Sequence, residues 1–246
     1  MQNNLLLSIA GDSGAGKSSL LKFLSSLWYG DVLLLEGDAY HKWERNDPHW
    51  NEFTPLNPKA NNIDQCYEDL LNLKNDKIIS FREYNHSTGK FDSPKEIAPK
   101  SKIIFTGLHA LYDQRIRELS DVKVYLNTDE DLRLFWKYKR DIQERGYTKD
   151  AVTRSLERRL KDSKKYIRPQ VHYADIIINI SDDDLIMNDF SYTPKLSISV
   201  LIDKNFMYIK SVMHILKNIN FKVCEDERFI KAYYNEKVER VQDIHI

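Results

Sequence analysis

The chain contains only two cysteines in 246 residues. Cys66 and Cys224 lie far apart in the sequence, and their spacing fits neither a disulfide framework nor a metal-binding motif. This content argues against a fold held together by disulfide bonds. Both residues are expected to be reduced thiols.

An excess of charge of one sign and a long apolar segment are also absent. Lys+Arg and Asp+Glu each total 37, so no overall field attracts nucleic acid or an anionic membrane. The first apolar run is too short to span a bilayer, and the start, Met1-Gln2-Asn3-Asn4, lacks the basic segment of a signal peptide. We expect a cytoplasmic protein with no nucleic-acid or membrane partner, in which local basic clusters recognise any anion.

Internal repeats, low-complexity segments and obvious linkers are not found either. The length suits one large α/β domain or a domain with a small appendage. Apolar runs alternate with helical stretches, which favours a mostly parallel sheet with helices on both faces. We expect a domain over residues 1–185 and an extension over 190–246, with strand, helix and strand at 196–202, 206–219 and 221–224.

The apolar runs predict strands at 5–10, 32–35, 77–84, 103–105, 122–126 and 174–180. A helix is expected over 63–73, after a polar, aromatic-rich loop at 38–61. Two charge-rich helices are expected at 129–145 and 149–166, separated by Gly146. Most charges on such helices only solvate a surface.

The segment GDSGAGKS at residues 11–18 has the spacing of a P-loop and lies between a predicted strand and a predicted helix. Glycine permits the backbone angles that turn several N–H groups towards one anion. Lys17 offers a mobile charge for the outer phosphates, and Ser18 a hydroxyl for Mg²⁺. The alternative is a glycine-rich turn before an ordinary helix. The predicted nucleotide-binding residues here are Gly11, Asp12, Ser13, Gly14, Ala15, Gly16, Lys17, Ser18 and Ser19.

Polar side chains also follow the second predicted strand, in LLLEGDAYHKWER. Open α/β sheets place ligands at this end of their strands. Phosphoryl transfer to a hydroxyl needs a carboxylate that orients the nucleophile and accepts its proton, and Asp38 is the candidate. An aspartate here could instead cap a turn. His41 and Arg45 could meet one anionic ligand if this piece were helical, and REYNH adds Arg82 and His86.

Together these motifs resemble the phosphoribulokinase/uridine kinase family of P-loop kinases, most of all the phosphoribulokinase type of plants and cyanobacteria. The resemblance runs from about Leu6 to Ile180 and is carried, in order, by GDSGAGKSS, DAYHKWER, LNPKANNID, YNHSTG, GLHALYDQRIREL, FWKYKRDIQERGYT and YIRPQVHYADIII. It implies a P-loop NTPase-like α/β fold, ATP and Mg²⁺, a small phosphorylated acceptor and a homodimer.

The resemblance also assigns roles to individual residues. Asp38 is implied as the catalytic base, aided by Lys17, and Asp38 and Ser18 as metal ligands. The helices around 129–166 correspond to the family's lid, in which Arg140 and Arg145 are assigned to ATP. The positions assigned to the acceptor are His41, Arg45, His86, Lys137, Arg158 and Arg159.

Two positions depart from the family's pattern. Photosynthetic members carry a P-loop cysteine that takes part in a thiol switch, whereas this chain has Ala15, so that control should be absent. The family's second acid, at the end of the strand before GLH, is replaced by Thr106, which cannot supply negative charge to Mg²⁺. Glu36 and Asp38 are the nearby carboxylates that could compensate.

Three functions are compatible with the sequence. The first is an ATP-dependent kinase that phosphorylates a hydroxyl of a small sugar phosphate. The second is a uridine or other nucleoside kinase, whose acceptor would leave Arg45 without an anionic partner. The third is a weakly catalytic, nucleotide-binding regulatory protein, which Thr106 favours and the set of basic residues opposes.

Overall fold

The computed structural model describes residues 4–27, 32–187, 189–218 and 222–233. In this part of the chain an eight-stranded sheet forms the centre of the fold, and two short two-stranded sheets lie outside it. The strands are β1 (Leu5–Gly11), β2 (Val32–Glu36), β3 (Ile79–Phe81), β4 (Tyr84–Asn85), β5 (Lys90–Phe91), β6 (Lys95–Ile97), β7 (Lys102–Gly107), β8 (Val122–Thr128), β9 (Ile176–Ser181), β10 (Ser197–Asp203), β11 (Lys222–Glu225) and β12 (Phe229–Tyr233).

The central sheet has the order β2-β7-β1-β8-β9-β10-β12-β11. Its first five strands are parallel, and the last three run antiparallel to their neighbours. β1 and β7 are apolar almost throughout because both lie inside the sheet, covered on both faces. The mostly parallel α/β class predicted from the sequence is confirmed.

Helices lie on both faces of this sheet. The described helices are α1 (Lys17–Leu27), α2 (Ile63–Lys74), α3 (Gln114–Leu119), α4 (Glu130–Lys139), α5 (Lys149–Asp162) and α6 (Ile209–Asn218). α1 packs through Leu21 on one face, where Ile9 and Ile104 are buried. α2 and α3 pack on the other face, through Leu70 and Ile116. No helix in the described ranges is long and apolar enough to cross a membrane.

The helices α4 and α5, which we name the lid after the family resemblance, form where the sequence predicts helices, with local signals at their ends. The carboxylate of Asp129 accepts from the backbone N–H groups of Asp131 and Leu132 and caps α4. The Thr148 hydroxyl accepts from the N–H of Ala151 and caps α5. Between them Gly146 has a φ of +71°, a backbone conformation that favours glycine. Each helix ends in a π-helical turn, at Arg140–Glu144 and Ser163–Ile167.

Two regions differ from the expectations. The strand predicted over 77–84 is interrupted, and its parts β3 and β4 pair only with β6 and β5, outside the main sheet. The segment after Pro194 adds β10, β11 and β12 to the central sheet, and the sequence did not predict β12. The predicted helix end at 219 and strand start at 221 lie outside the described residues.

Candidate functional site

A cavity of about 1490 Å³ opens at the carboxyl ends of the parallel strands, beside the start of α1. The predicted site residues that line it are Ser13, Gly14, Gly16, Lys17, Ser18, Ser19, Asp38, His41, Arg45, His86, Arg140, Arg145, Arg158 and Arg159. The fold therefore brings together residues from the P-loop, the loop after β2, the β4–β5 hairpin and the lid. Gly11, Asp12, Ala15 and Lys137 are not among the lining residues.

The P-loop turns tightly between β1 and α1. Gly14 and Gly16 have φ values of +86° and +91°, where a side chain would strain the backbone. A Cβ on Gly11 would lie 2.8 Å from the carbonyl oxygen of Leu126 in β8, so glycine is also needed there for close approach. The loop backbone is thereby left open towards the cavity, as anion binding at a helix N-terminus requires.

The side chain of Lys17 folds back against the P-loop. Its ammonium donates to the carbonyl oxygens of Gly11 and Asp12, each at 2.9 Å. Burial lowers the pKa of Lys17, although Asp38 and Asp12 oppose that shift. A desolvated ammonium so close to the loop is suited to binding phosphate oxygens.

Asp38 lies in a 3₁₀ turn, Gly37–Tyr40, that follows β2 directly. One carboxylate oxygen is 3.2 Å from Nε2 of His86, and the other is 3.6 Å from Nε2 of His41. Burial alone would raise the pKa of Asp38, but His41, His86 and Lys17 together hold it well below its ordinary value. Asp38 is therefore an ionised carboxylate at neutral pH, about one-third exposed to the cavity.

His41 is buried between aromatic rings. Its ring centroid lies 5.7 Å from that of Trp50 and 5.5 Å from that of Tyr84, both in edge-to-face contact. Burial lowers the pKa of His41, against the pull of Asp38. The imidazole is therefore uncharged at neutral pH and available as a hydrogen-bonding group.

The loop containing Arg45 is not helical, contrary to the condition on which His41 and Arg45 were expected to meet a ligand. Asn46 has a φ of +72°, and His41 instead forms an isolated bridge with Asn61. Arg45 packs against the β4–β5 hairpin, where its guanidinium donates to the carbonyl oxygens of His86 and Ser87. Both side chains still line the same cavity because the loop folds around it.

The lid contributes arginines from α5 and from the π-helical turn after α4. Arg158 donates to the carbonyl oxygens of Trp50, at 2.6 Å, and Asn51, at 3.3 Å. These contacts of Arg158 attach α5 to the loop that follows β2. Burial lowers the pKa of both Arg159 and Arg145, each of which remains a cation at neutral pH.

Lys137 is held away from the main cavity. Its ammonium is buried and lies 2.8 Å from the carboxylate of Asp141, one helical turn along. Asp141 also pairs with Arg140 at 2.9 Å and Arg145 at 3.3 Å. Burial, with Arg159 nearby, lowers the pKa of Lys137 to about 8. The observed contact of Lys137 is with this carboxylate, which also orders the two arginines that line the cavity.

A second set of polar contacts ties the P-loop to the lid, and the sequence did not predict it. The hydroxyl of Ser163, in the π-helical turn after α5, donates to the carboxylate of the buried Asp12. The neighbouring Asp162 accepts from the hydroxyl of Thr54 at 2.8 Å. Arg133 of α4 donates to the carbonyl oxygen of Ser13 at 2.9 Å.

Thr106 and Glu36 end neighbouring strands at the cavity. They are Cα partners in the parallel register of β7 and β2. The hydroxyl of Thr106 is buried and has no hydrogen-bond partner among the described residues. Burial and the proximity of Asp38 raise the pKa of Glu36. The carboxyl end of β7 thus carries no acidic residue, and the acidic residue beside it is Glu36 at the end of β2.

Comparison with known proteins identifies the family of this chain. The model of the Phosphoribulokinase / Uridine kinase family matches residues 6–187. A phosphoribulokinase from Synechocystis is 40% identical over 185 residues, which are 74% of this chain and 55% of that protein. A uridine kinase from Macrococcus caseolyticus is 34% identical over 186 residues, covering 72% of this chain and 89% of that protein.

The fold is also similar to a solved structure. Phosphoribulokinase from Rhodobacter spheroides superposes with a TM-score of 0.72 at 17% identity, over 94% of this chain and 91% of that one. This likeness concerns the fold alone. The chain spans about half the length of the phosphoribulokinases that it matches in sequence. On the family match and the sequence identity together, the chain belongs to the phosphoribulokinase/uridine kinase family.

Proposed function

We propose that the protein is an ATP-dependent kinase that transfers the γ-phosphoryl group to a hydroxyl of a small sugar phosphate. The observation that carries this proposal is the position of Asp38. An ionised carboxylate, bracketed by two imidazoles, faces the same cavity as the P-loop lysine. That is the pairing of acceptor-activating and phosphate-binding groups that phosphoryl transfer requires.

In this reaction the acceptor hydroxyl oxygen forms a bond to the γ-phosphorus while the bond to the bridging oxygen of ADP breaks. Asp38 orients the hydroxyl and takes its proton. His41 and His86 hold the carboxylate in place, and Lys17 meets the negative charge of the outer phosphates. Because the transition state is loose, positioning and charge matter more than a strongly basic carboxylate, so the lowered pKa of Asp38 suits the role.

The residues present fit Mg²⁺ as well as ATP. The Ser18 hydroxyl and the carboxylates of Glu36 and Asp38 all line the cavity, and Mg²⁺ prefers such hard oxygen donors. When bound, the ion would neutralise charge on the β- and γ-phosphates. Arg140 and Arg145, held by Asp141, lie in the lid where they can face the nucleotide.

A phosphorylated acceptor is favoured by the cations that line the acceptor side of the cavity. Arg45, Arg158 and Arg159 surround the region between the loop after β2 and α5. A guanidinium binds two phosphate oxygens at once through its planar fork, which a neutral nucleoside would not use. We assign these three arginines to the acceptor phosphate.

Nucleoside phosphorylation is the second candidate, because the chain covers 89% of a uridine kinase that is 34% identical to it. The two candidates are separated by a coupled ADP-release assay with pentose, hexose and heptose phosphates, polyol phosphates and nucleosides. We expect release with a phosphorylated sugar. Release with uridine alone would favour the second candidate, and tight ATP binding without release would favour a regulatory role.

Arg45→Ala is expected to raise the KM for the phosphorylated acceptor about 10- to 100-fold, since a hydrogen bond to a charged group contributes about 1.5–3 kcal/mol. Added salt should raise the KM of the parent enzyme too, by screening the same attraction. Initial rates over a range of acceptor concentrations measure both effects.

The same sugar without its phosphate is the control for Arg45→Ala, because Arg45 also contacts the β4–β5 hairpin. A general loosening of the hairpin would impair both acceptors. An equal rise in KM for the two sugars would remove Arg45 from phosphate recognition.

The proposal includes a homodimer, as the family resemblance implies, and a cytoplasmic location, as expected from the sequence. Size-exclusion chromatography with light scattering is expected to give twice the mass of one chain. A monomer that still releases ADP at full rate would show that catalysis needs no second subunit.

A further inference from the structure

The buried hydroxyl of Thr106 needs a partner that the described residues do not provide. The residue is 5% exposed, and its Oγ1 neither accepts nor donates a hydrogen bond within the described residues. Thr106 nevertheless lines the cavity together with Lys17 and Ser18. Buried polar groups are rarely left unsatisfied, because an unmade hydrogen bond is costly. A polar species that enters the cavity at this point would satisfy it.

Glu36 stands directly beside this hydroxyl on the neighbouring strand. Since Glu36 and Thr106 are Cα partners in a parallel pair, their side chains leave the same face of the sheet. The next residues, Gly37 and Gly107, keep the strand ends close, because a Cβ on Gly37 would lie 3.1 Å from the Cα of Gly107. Glu36 lines the same cavity.

Glu36 also has fewer side-chain partners than Asp38, the other carboxylate near Thr106. Both oxygens of Asp38 face imidazoles, from His41 and His86. In the described part of the chain no hydrogen bond or ion pair engages the carboxylate of Glu36.

We propose that Glu36 supplies, from β2, the carboxylate that orders the Mg²⁺ bound with ATP, in place of an acid at Thr106. The hydroxyls of Ser18 and Thr106, which line the same cavity, would add hard oxygen donors for the ion. Asp38 is then left free for the acceptor hydroxyl. The inference rests on the proposed function, because it needs ATP at the P-loop.

The test is the affinity for ATP with and without Mg²⁺, measured by titration calorimetry without any acceptor. In the parent protein Mg²⁺ is expected to tighten ATP binding. Glu36→Gln should reduce that tightening about tenfold or more, in line with the effect of groups that orient a metal's ligands. Its affinity for metal-free ATP should not fall, because a negative charge near the phosphates has been removed.

The matched control is Glu83→Gln. Glu83 is a carboxylate close enough to influence Glu36 electrostatically, but it pairs with Lys95 and is not among the residues that line the cavity. This variant should keep the parent's response to Mg²⁺. An equal loss in both variants would mean that general charge, rather than Glu36, sets the response, and would overturn the inference.

Thr106→Glu tests whether the carboxylate that orders Mg²⁺ can be supplied from position 106 instead of position 36. This test does not depend on how well Glu36→Gln folds. An acid at Thr106 should shift the Mg²⁺ dependence of ATP binding to lower concentration. In that background, adding Glu36→Gln should cost no more than about twofold, because the new acid replaces it. Unchanged Mg²⁺ curves in Thr106→Glu and in Glu36→Gln would place the ion elsewhere. Failure of the parent to bind ATP at all would instead overturn the proposed function.

Discussion

Asp38→Asn is expected to lower kcat at least 100-fold, within the range of about 10²–10⁴ that a positioned general base contributes. Asparagine keeps the shape of the side chain but cannot take the proton of the acceptor hydroxyl. The dissociation constant for ATP should stay nearly unchanged, because the P-loop is intact. Coupled ADP release gives kcat, and calorimetry gives the ATP affinity.

The pH dependence of this defect provides a second readout. Because the pKa of Asp38 lies well below its ordinary value, the carboxylate is charged throughout the range from pH 6 to pH 8. The ratio of parent to variant kcat should therefore be constant between pH 7 and pH 8, where His41 is uncharged. A ratio that changes with pH there would show that Asp38 titrates near neutrality, which its charged and polar neighbours should prevent.

Glu52→Gln is a suitable control for Asp38→Asn. Glu52 is an exposed carboxylate in the same loop and is not among the residues lining the cavity. Removing its charge should leave kcat within about twofold of the parent, as for most surface substitutions. Unaltered turnover in Asp38→Asn would remove Asp38 from the reaction.

Asp141→Asn is expected to lower the free energy of unfolding at pH 7 by about 1–2 kcal/mol, because Lys137 loses its charged partner and, with a folded pKa of about 8, can release its proton at a cost of about 1.4 kcal/mol per pH unit. Arg140 and Arg145 lose the same carboxylate. Urea unfolding of parent and variant, followed by circular dichroism, measures the difference. ATP affinity should weaken as well, since both arginines line the cavity.

The loss of stability caused by Asp141→Asn should become smaller as the pH rises. The pKa of Lys137 is about 8 in the folded protein, against 10.5 ordinarily, so above pH 8 the folded chain binds fewer protons than the unfolded chain. Raising the pH between these values therefore stabilises the folded state. In Asp141→Asn the pKa of Lys137 in the folded protein falls further, so the stability of the variant begins to rise at lower pH. The difference between parent and variant in the free energy of unfolding is therefore smaller at pH 9.5 than at pH 7.

Asp131→Asn on α4 is the control for this second substitution. Asp131 is exposed in the first turn of that helix, so its loss should cost less than about 1 kcal/mol. That cost should also be the same at pH 7 and pH 9.5. If Asp141→Asn gave an equal loss at the two pH values, its effect would lie with the arginines rather than with Lys137.

The parts of the site that the sequence predicted are those that depend on local pattern and strand direction. The spacing of Gly11, Gly16 and Lys17 defines a turn between a strand and a helix. The position of Asp38 after β2 places it at the carboxyl edge of the sheet, because parallel strands end on the same side. Neither prediction needed knowledge of distant contacts.

Other features depend on partners that the local pattern does not encode. Asp12 and Ser163 are 151 positions apart, and nothing near either residue indicates the other. β3 was predicted as a strand, but its pairing with β6 alone is a matter of long-range register. The ion pair of Lys137 with Asp141 could have been predicted from the sequence, since side chains four residues apart on a helix lie next to each other. The family resemblance instead directed Lys137 to a phosphate.

The end of α5 contacts both halves of the cavity through adjacent residues. Asp162 accepts from Thr54 in the loop after β2, and Ser163 donates to Asp12 in the P-loop. Under the proposed function the loop after β2 binds the acceptor and the P-loop binds the nucleotide, so this helix terminus contacts both binding sites. By thermodynamic reciprocity, any factor by which nucleotide changes acceptor binding must equal the factor by which acceptor changes nucleotide binding. We expect the two dissociation constants to be coupled through this one turn of the lid.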